Sequence, residues 1–136
     1  MSKVVELNPK NAAALNYVGY TWAERGVRLA EAEDLIRRAV ALKPRDGFIR
    51  DSLGWVLYQK GDYQGAVREL EAAAHMAGED PVVLEHLGDA YLKANHREKA
   101  LRTYESALRK DPKAQNAAKL REKINQLKRQ RKTQNP

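Results

Sequence analysis

Gly19, Gly54 and Gly88 stand 35 and 34 residues apart, each inside a run that is otherwise helical in character. A glycine there costs about 0.5–1 kcal/mol relative to alanine, so its recurrence asks for a reason. The same step is kept elsewhere. Ala32, Ala66 and Ala100 are separated by 34 residues, as are Ala39, Ala73 and Ala107, and Ile36, Leu70 and Tyr104. Gly26, Gly61 and Asn95 follow it too. One period held by so many positions across three copies marks a chain of repeated units, each too small to enclose an interior alone.

The stretch 51–66 shows what one unit contains: a helix, a tight turn and the start of a second helix. Leu53, Leu57 and Leu70 are apolar at helical spacing and predict a shared core. A glycine at 54 predicts close approach of the partner helix, and small residues at 66 and 73 serve the same end. Gly61 suits the left-handed residue that closes a helix, and Asn95 is the common substitute in the third copy. Asp62 is placed to accept from the free N–H groups that open the next helix.

In phase, the first copy reads Leu15, Val18, Gly19, Trp22, then Ala32, Ile36, Ala39, Pro44. The second reads Arg50, Leu53, Gly54, Leu57, then Ala66, Leu70, Ala73, with Gly78 in place of proline. The third reads Leu84, Leu87, Gly88, Tyr91, then Ala100, Tyr104, Ala107, Pro112. Over roughly residues 4–127 this resembles the tetratricopeptide repeat family. Two departures stand out. Arg50 fills a normally apolar slot, which shifts the start of its helix toward Phe48 or Ile49, and one extra residue lengthens the turn between Gly26 and Ala32.

The resemblance implies an all-α fold, a right-handed superhelix of three helix pairs closed by a C-terminal capping helix. The expected division is a remnant of a preceding repeat over 1–11, repeats over 12–46, 47–80 and 81–113, a cap over 114–131 and a tail over 132–136. Within these, helices are expected at 12–25, 29–42, 47–60, 63–76, 81–94, 97–110 and 114–131. Asn11 and Asp80 are the expected N-caps, with Pro81 tolerated at the first helical position. The cap helix carries Ala117, Leu120, Ile124 and Leu127 as an apolar stripe.

Leu7-Asn8-Pro9 lies 35 residues before Leu42-Lys43-Pro44. It reads either as a short lead-in or, the preferred reading, as the end of a repeat cut from a longer array. Such a cut would leave an uncovered apolar side open to self-association. Charge is uneven. Residues 112–136 carry eight Lys or Arg and one Glu, whereas the other 111 residues balance 17 basic against 17 acidic side chains. Such a stretch reads first as a solvated helix with a frayed end, and as a functional feature it would attract nucleic acid, acidic lipid heads or an acidic partner. No aromatic residue interrupts 113–136, so single-stranded bases find no stacking platform and nucleic acid is the weaker alternative. With no cysteine, disulfides and thiolate metal sites are excluded. No run approaches the ~18 apolar residues of a membrane helix. Compartment stays open.

In this family the first helices of each pair line a concave groove that takes extended or helical peptides. Carried across by position, the groove residues are Asn16, Tyr20 and Glu24, then Asp51, Trp55, Tyr58 and Gln59, then Glu85, Asp89, Leu92 and Lys93. Trp55 is expected to point away from its partner helix and, beside Tyr20 and Tyr58, to act as a hot spot. The alternative is that these rings pack between neighbouring first helices. Asp51, Glu85 and Asp89 would favour a partner carrying Lys or Arg. A clamp for a terminal carboxylate is not expected, because its positions hold Asn16, Tyr20, Ser52, Val82 and His86. His86 reads as a surface histidine. No phosphate-cradling glycine loop and no HExxH appears, so neither a cofactor nor catalysis is expected. Stretches such as 51–67 are similar to parts of large bacterial repeat proteins, several of them exported or lipid-anchored adaptors. The expected function is a scaffold or adaptor that holds a partner segment in its groove. The alternatives are the basic tail as the contact, and a self-assembly module.

Overall fold

The computed structural model describes residues 10–134, with side chains as far as Arg131. Among the described residues seven α-helices come one after another: α1 (Ala12–Arg25), α2 (Leu29–Leu42), α3 (Gly47–Gln59), α4 (Tyr63–Met76), α5 (Pro81–Lys93), α6 (Arg97–Lys110) and α7 (Ala117–Gln134). No strand occurs among the described residues. Helices α1–α2, α3–α4 and α5–α6 form hairpins, and α3 and α5 each lean on the preceding hairpin. The Leu7-Asn8-Pro9 segment lies outside the described residues.

Helix ends obey local chemistry. Asn11 accepts from the Ala14 N–H at 3.1 Å, Asp46 from Phe48 and Ile49, Asp62 from Gly65, and Asp80 from Val82 and Val83. Each satisfies donors that a helix leaves open in its first turn. Gly26 and Gly61 take φ of 68° and 87°, and Asn95 reaches φ 70° in the third copy. Two helices stop one residue short of the expected 60 and 94, because those residues serve as C-caps. The last helix starts at Ala117 rather than 114. Ahead of it the backbone turns, with the Ala114 N–H on the Asp111 carbonyl and the Ala117 N–H on the Ala114 carbonyl.

The three mid-helix glycines have one job. A Cβ on Gly19 would sit 2.6 Å from Ile36 Cγ1, on Gly54 2.5 Å from Leu70 Cγ, and on Gly88 2.5 Å from Tyr104 Cε1. Each hairpin thus presses a large side chain of its second helix onto bare backbone of its first. The pairs are the same in-phase positions that the sequence repeats. Leu53, Leu57 and Leu70 are buried, and each such side chain contributes about 1.5–3 kcal/mol through removal from water. The main core runs from Ala23 through the middle hairpins to Leu120, Ile124 and Leu127 of α7, while Ala12, Leu15, Val18, Leu35, Ala39 and Ile49 form a smaller cluster at the other end. Ile49 takes the apolar place at the start of α3. Arg50 instead reaches Glu69 at 3.0 Å and the Pro44 carbonyl at 3.3 Å.

Candidate functional site

Helices α1, α3 and α5 lie side by side, so the residues that face away from their hairpin partners form one surface. On α3 these are Phe48, Asp51, Trp55, Tyr58 and Gln59, at the three- and four-residue spacing that keeps side chains on one stripe. The corresponding stripes are Ala13, Asn16, Tyr20 and Glu24 on α1, and Val82, Glu85, Asp89, Leu92 and Lys93 on α5. The structure divides this surface into two unlike halves.

The half over α5 is closed by α7. Lys123 Nζ donates to Glu85 Oε2 at 2.8 Å and to Asp89 Oδ1 at 2.9 Å, and lies 5.4 Å from the centre of the Tyr104 ring. Asn116 donates to the other Glu85 oxygen, and the Tyr104 hydroxyl donates to Asp89. Burial alone would raise the Glu85 carboxyl, but hydrogen bonds from Lys123 and Asn116 outweigh it and hold that group below its ordinary range. Burial likewise works against the Lys123 ammonium, and its bonds to the two carboxylates push its pKa up instead. Glu85 and Asp89 therefore already share a cation of their own chain, which balances one of their two negative charges. Tyr104 is itself pushed well above its ordinary value, by burial first and by Asp89 second.

Between the halves sits an aromatic stack. The Trp55 ring lies 4.5 Å from Tyr58, nearly parallel at 6°, and 4.3 Å from the His86 ring on its other side. Trp55 is half-buried and its Nε1 has no partner. It packs between neighbouring first helices, which corrects the expectation of an exposed hot spot. His86 is no surface residue either. Its side chain is 13% exposed, and Nδ1 lies 2.9 Å from Asp51 Oδ1. Burial pulls the imidazole pKa down, but the Asp51 bond, helped by the charges of Asp89 and Glu85, raises it above the ordinary value.

Among the described residues, the half over α1 is open. Ala13, Asn16, Tyr17 and Tyr20 of α1 face Phe48, Ile49, Asp51 and Ser52 of α3 across a cavity of about 500 Å³, with Lys43 and Asp46 at its edge. Tyr17 is 67% exposed and Phe48 56%, unusual for rings of that size. Asn16 Oδ1 is fully buried without a hydrogen-bond partner, and Asp51 is only 7% exposed. Tyr20 is half-buried, and burial first and the Glu24 carboxylate second raise its hydroxyl pKa. Of the residues expected in the groove, Asn16, Tyr20 and Asp51 come together here. Glu24, Leu92 and Lys93 are exposed at the far ends of their stripes, and Gln59 is half-buried. Phe48 and Val82 precede Trp55 and Asp89 by seven residues, so the repeat phase alone would have found them. Tyr17, Lys43, His86, Asn116 and Lys123 carried no such signal.

Helix hairpins stacked in line, with one face of their first helices left uncovered by their partners, define a helical-repeat protein. Family models described as tetratricopeptide repeat match residues 57–124 and, separately, 1–47. The chain belongs to the tetratricopeptide repeat family. It is 43% identical over 86 residues to the TPR repeat-containing protein PA4667 of Pseudomonas aeruginosa, covering 63% of this chain and 14% of that protein. Among solved structures it resembles pilF of Pseudomonas aeruginosa, with a TM-score of 0.81 at 21% identity over 95% of this chain and 57% of that one. It also resembles the Yersinia enterocolitica type III secretion chaperone SycD in complex with a peptide of the translocator YopD. There the TM-score is 0.76 at 15% identity, over 86% of this chain and 92% of that one. The chain thus spans a small part of its curated relative and just over half of pilF.

Proposed function

We propose that this chain is a protein-interaction module that docks a segment of a partner protein on the face formed by α1, α3 and α5, with the α1–α3 cavity as the main seat. The observation that carries the proposal is that cavity, where Tyr17 and Phe48 stand open to solvent beside a buried acceptor with no partner. Exposed aromatic rings around a recess are the usual anchors of a protein interface. A structural relative, SycD, is seen with a peptide of its translocator, which supports a binding role for this fold. Catalysis is not part of the proposal. Asp51 and His86 make a pair, but the neighbouring hydroxyl of Ser52 donates to the Phe48 carbonyl at 3.3 Å and offers no nucleophile.

The test is capture of partners by the full chain, compared with a chain carrying Tyr17→Ala and Phe48→Ala. Loss of the captured set is the expected result. Unchanged capture by a folded double variant rejects the seat.

A second reading rests on charge. His96, Arg97, Lys99, Arg102 and Arg131 line a cavity of about 480 Å³ between α6 and α7, together with Glu98, which pairs with Arg131 at 3.4 Å. Contact through this basic end would fade steeply with salt, whereas docking on the aromatic face would not.

A further inference from the structure

We infer that the α1–α3 cavity is a seat for a cationic side chain, lysine or arginine, on the partner segment. This rests on the docking function proposed above and adds the chemistry of the anchor. Two acceptors supply the polarity. Asn16 Oδ1 is buried with no donor on it, an unfavourable state that an N–H from a partner would relieve. Asp51 brings a buried carboxylate, of which the His86 bond uses Oδ1. Tyr17, Tyr20 and Phe48 line the same cavity, and aromatic rings attract a cation that comes over their faces. At the edge, Lys43 and Asp46 oppose each other in charge, and the Asp46 carboxylate is engaged by the Phe48 and Ile49 N–H groups.

Competing anchors fit less well. A neutral amide donor would satisfy Asn16 but bring no charge to the Asp51 oxygen that the His86 bond does not use. A carboxylate would meet that charge directly. A purely apolar side chain would bury both acceptors without a partner. The molecule also holds a cation by the same means elsewhere. Lys123 sits on two carboxylates and over the Tyr104 ring, on the same face of the same array. The α1–α3 cavity repeats those ingredients with the ammonium left to come from another chain.

The experiment is an NMR titration of the full, isotope-labelled chain with capped peptides Gly-Leu-Lys-Leu-Gly, its arginine form and its norleucine form. The lysine and arginine peptides should bind roughly tenfold more tightly than the norleucine peptide, shifting the Asn16 and Asp51 resonances. Asp51→Asn should erase most of that preference. Asn16→Ala is the second variant, with the His86 pair intact, and should weaken the lysine peptide more than the norleucine one. Equal binding of all three peptides would overturn the cation seat while leaving peptide docking in place. A lysine preference that survives both substitutions would overturn it as well. If no peptide binds, the docking proposal fails and the seat with it.

Discussion

Two halves of one face, built from the same repeated helix, end in opposite states. Over α5, the acids Glu85 and Asp89 are bonded to Lys123, and Asn116 holds Glu85 from the turn before α7. Over α1 and α3, Asp51 and Asn16 line a cavity edged by exposed rings. The difference does not come from the repeat. It comes from the neighbour on the C-terminal side: the third hairpin meets a helix that supplies an ammonium, whereas the face of the first two keeps room for something else. Position in the array, rather than residue type, decides whether an acid on this surface is bonded to a lysine of the last helix or paired with a histidine beside a cavity.

The sharpest way to break the contrast is to loosen α7. Leu120 is fully buried at its contact, so Leu120→Ala should cost about 2–4 kcal/mol and expose the α5 stripe, read by chemical denaturation and hydrogen exchange. Protection of α5 that stays unchanged would mean α7 does not close that half. Next in size is Lys123→Met. It keeps the apolar stem but strips Glu85 and Asp89 of their cation, for a loss of about 1–3 kcal/mol. The freed acids should then give the chain a second site for the lysine peptide. A single site in that variant would show that the two halves differ by more than one side chain.

A smaller effect arises at the boundary between them. The folded His86 is held above the ordinary histidine value of about 6.5, so it binds its proton more tightly folded than unfolded. Its stabilisation is complete below that value and is lost as pH rises through the folded pKa. Melting temperature should therefore decline across that window, and His86→Asn should flatten the decline. A wild-type profile matching the variant's would dismiss the Asp51–His86 link. Least of all, Phe48→Ala should leave stability within about 0.5 kcal/mol, since the ring is mostly in solvent, while partner capture drops roughly tenfold or more.

The period made the fold legible. It located the three glycines, the large side chains pressed against them, and the turns at Gly26, Gly61 and Asn95. It also gave the stripe of each first helix, which is why Asn16, Tyr20 and Asp51 belong to the cavity. What it did not give is how a neighbour treats that stripe. Trp55 faces away from its own hairpin, as its phase requires, yet His86 of the next hairpin covers it. Lys123 was out of reach for a related reason. Helix α7 keeps the apolar spacing of Ala117, Leu120, Ile124 and Leu127 but not the rest of the repeat, so no phase marked where its polar side chains would land.

The bulky residue opposite each glycine is Ile36, then Leu70, then the larger Tyr104. The first two are hydrocarbon and make no demand beyond fit. Tyr104 extends a hydroxyl through to Asp89, and Asp89 in turn holds Lys123. The third hairpin is therefore not an interchangeable cassette. Anyone lengthening this array would need to place after it a helix bearing a lysine at that height, or exchange Tyr104 and Asp89 together.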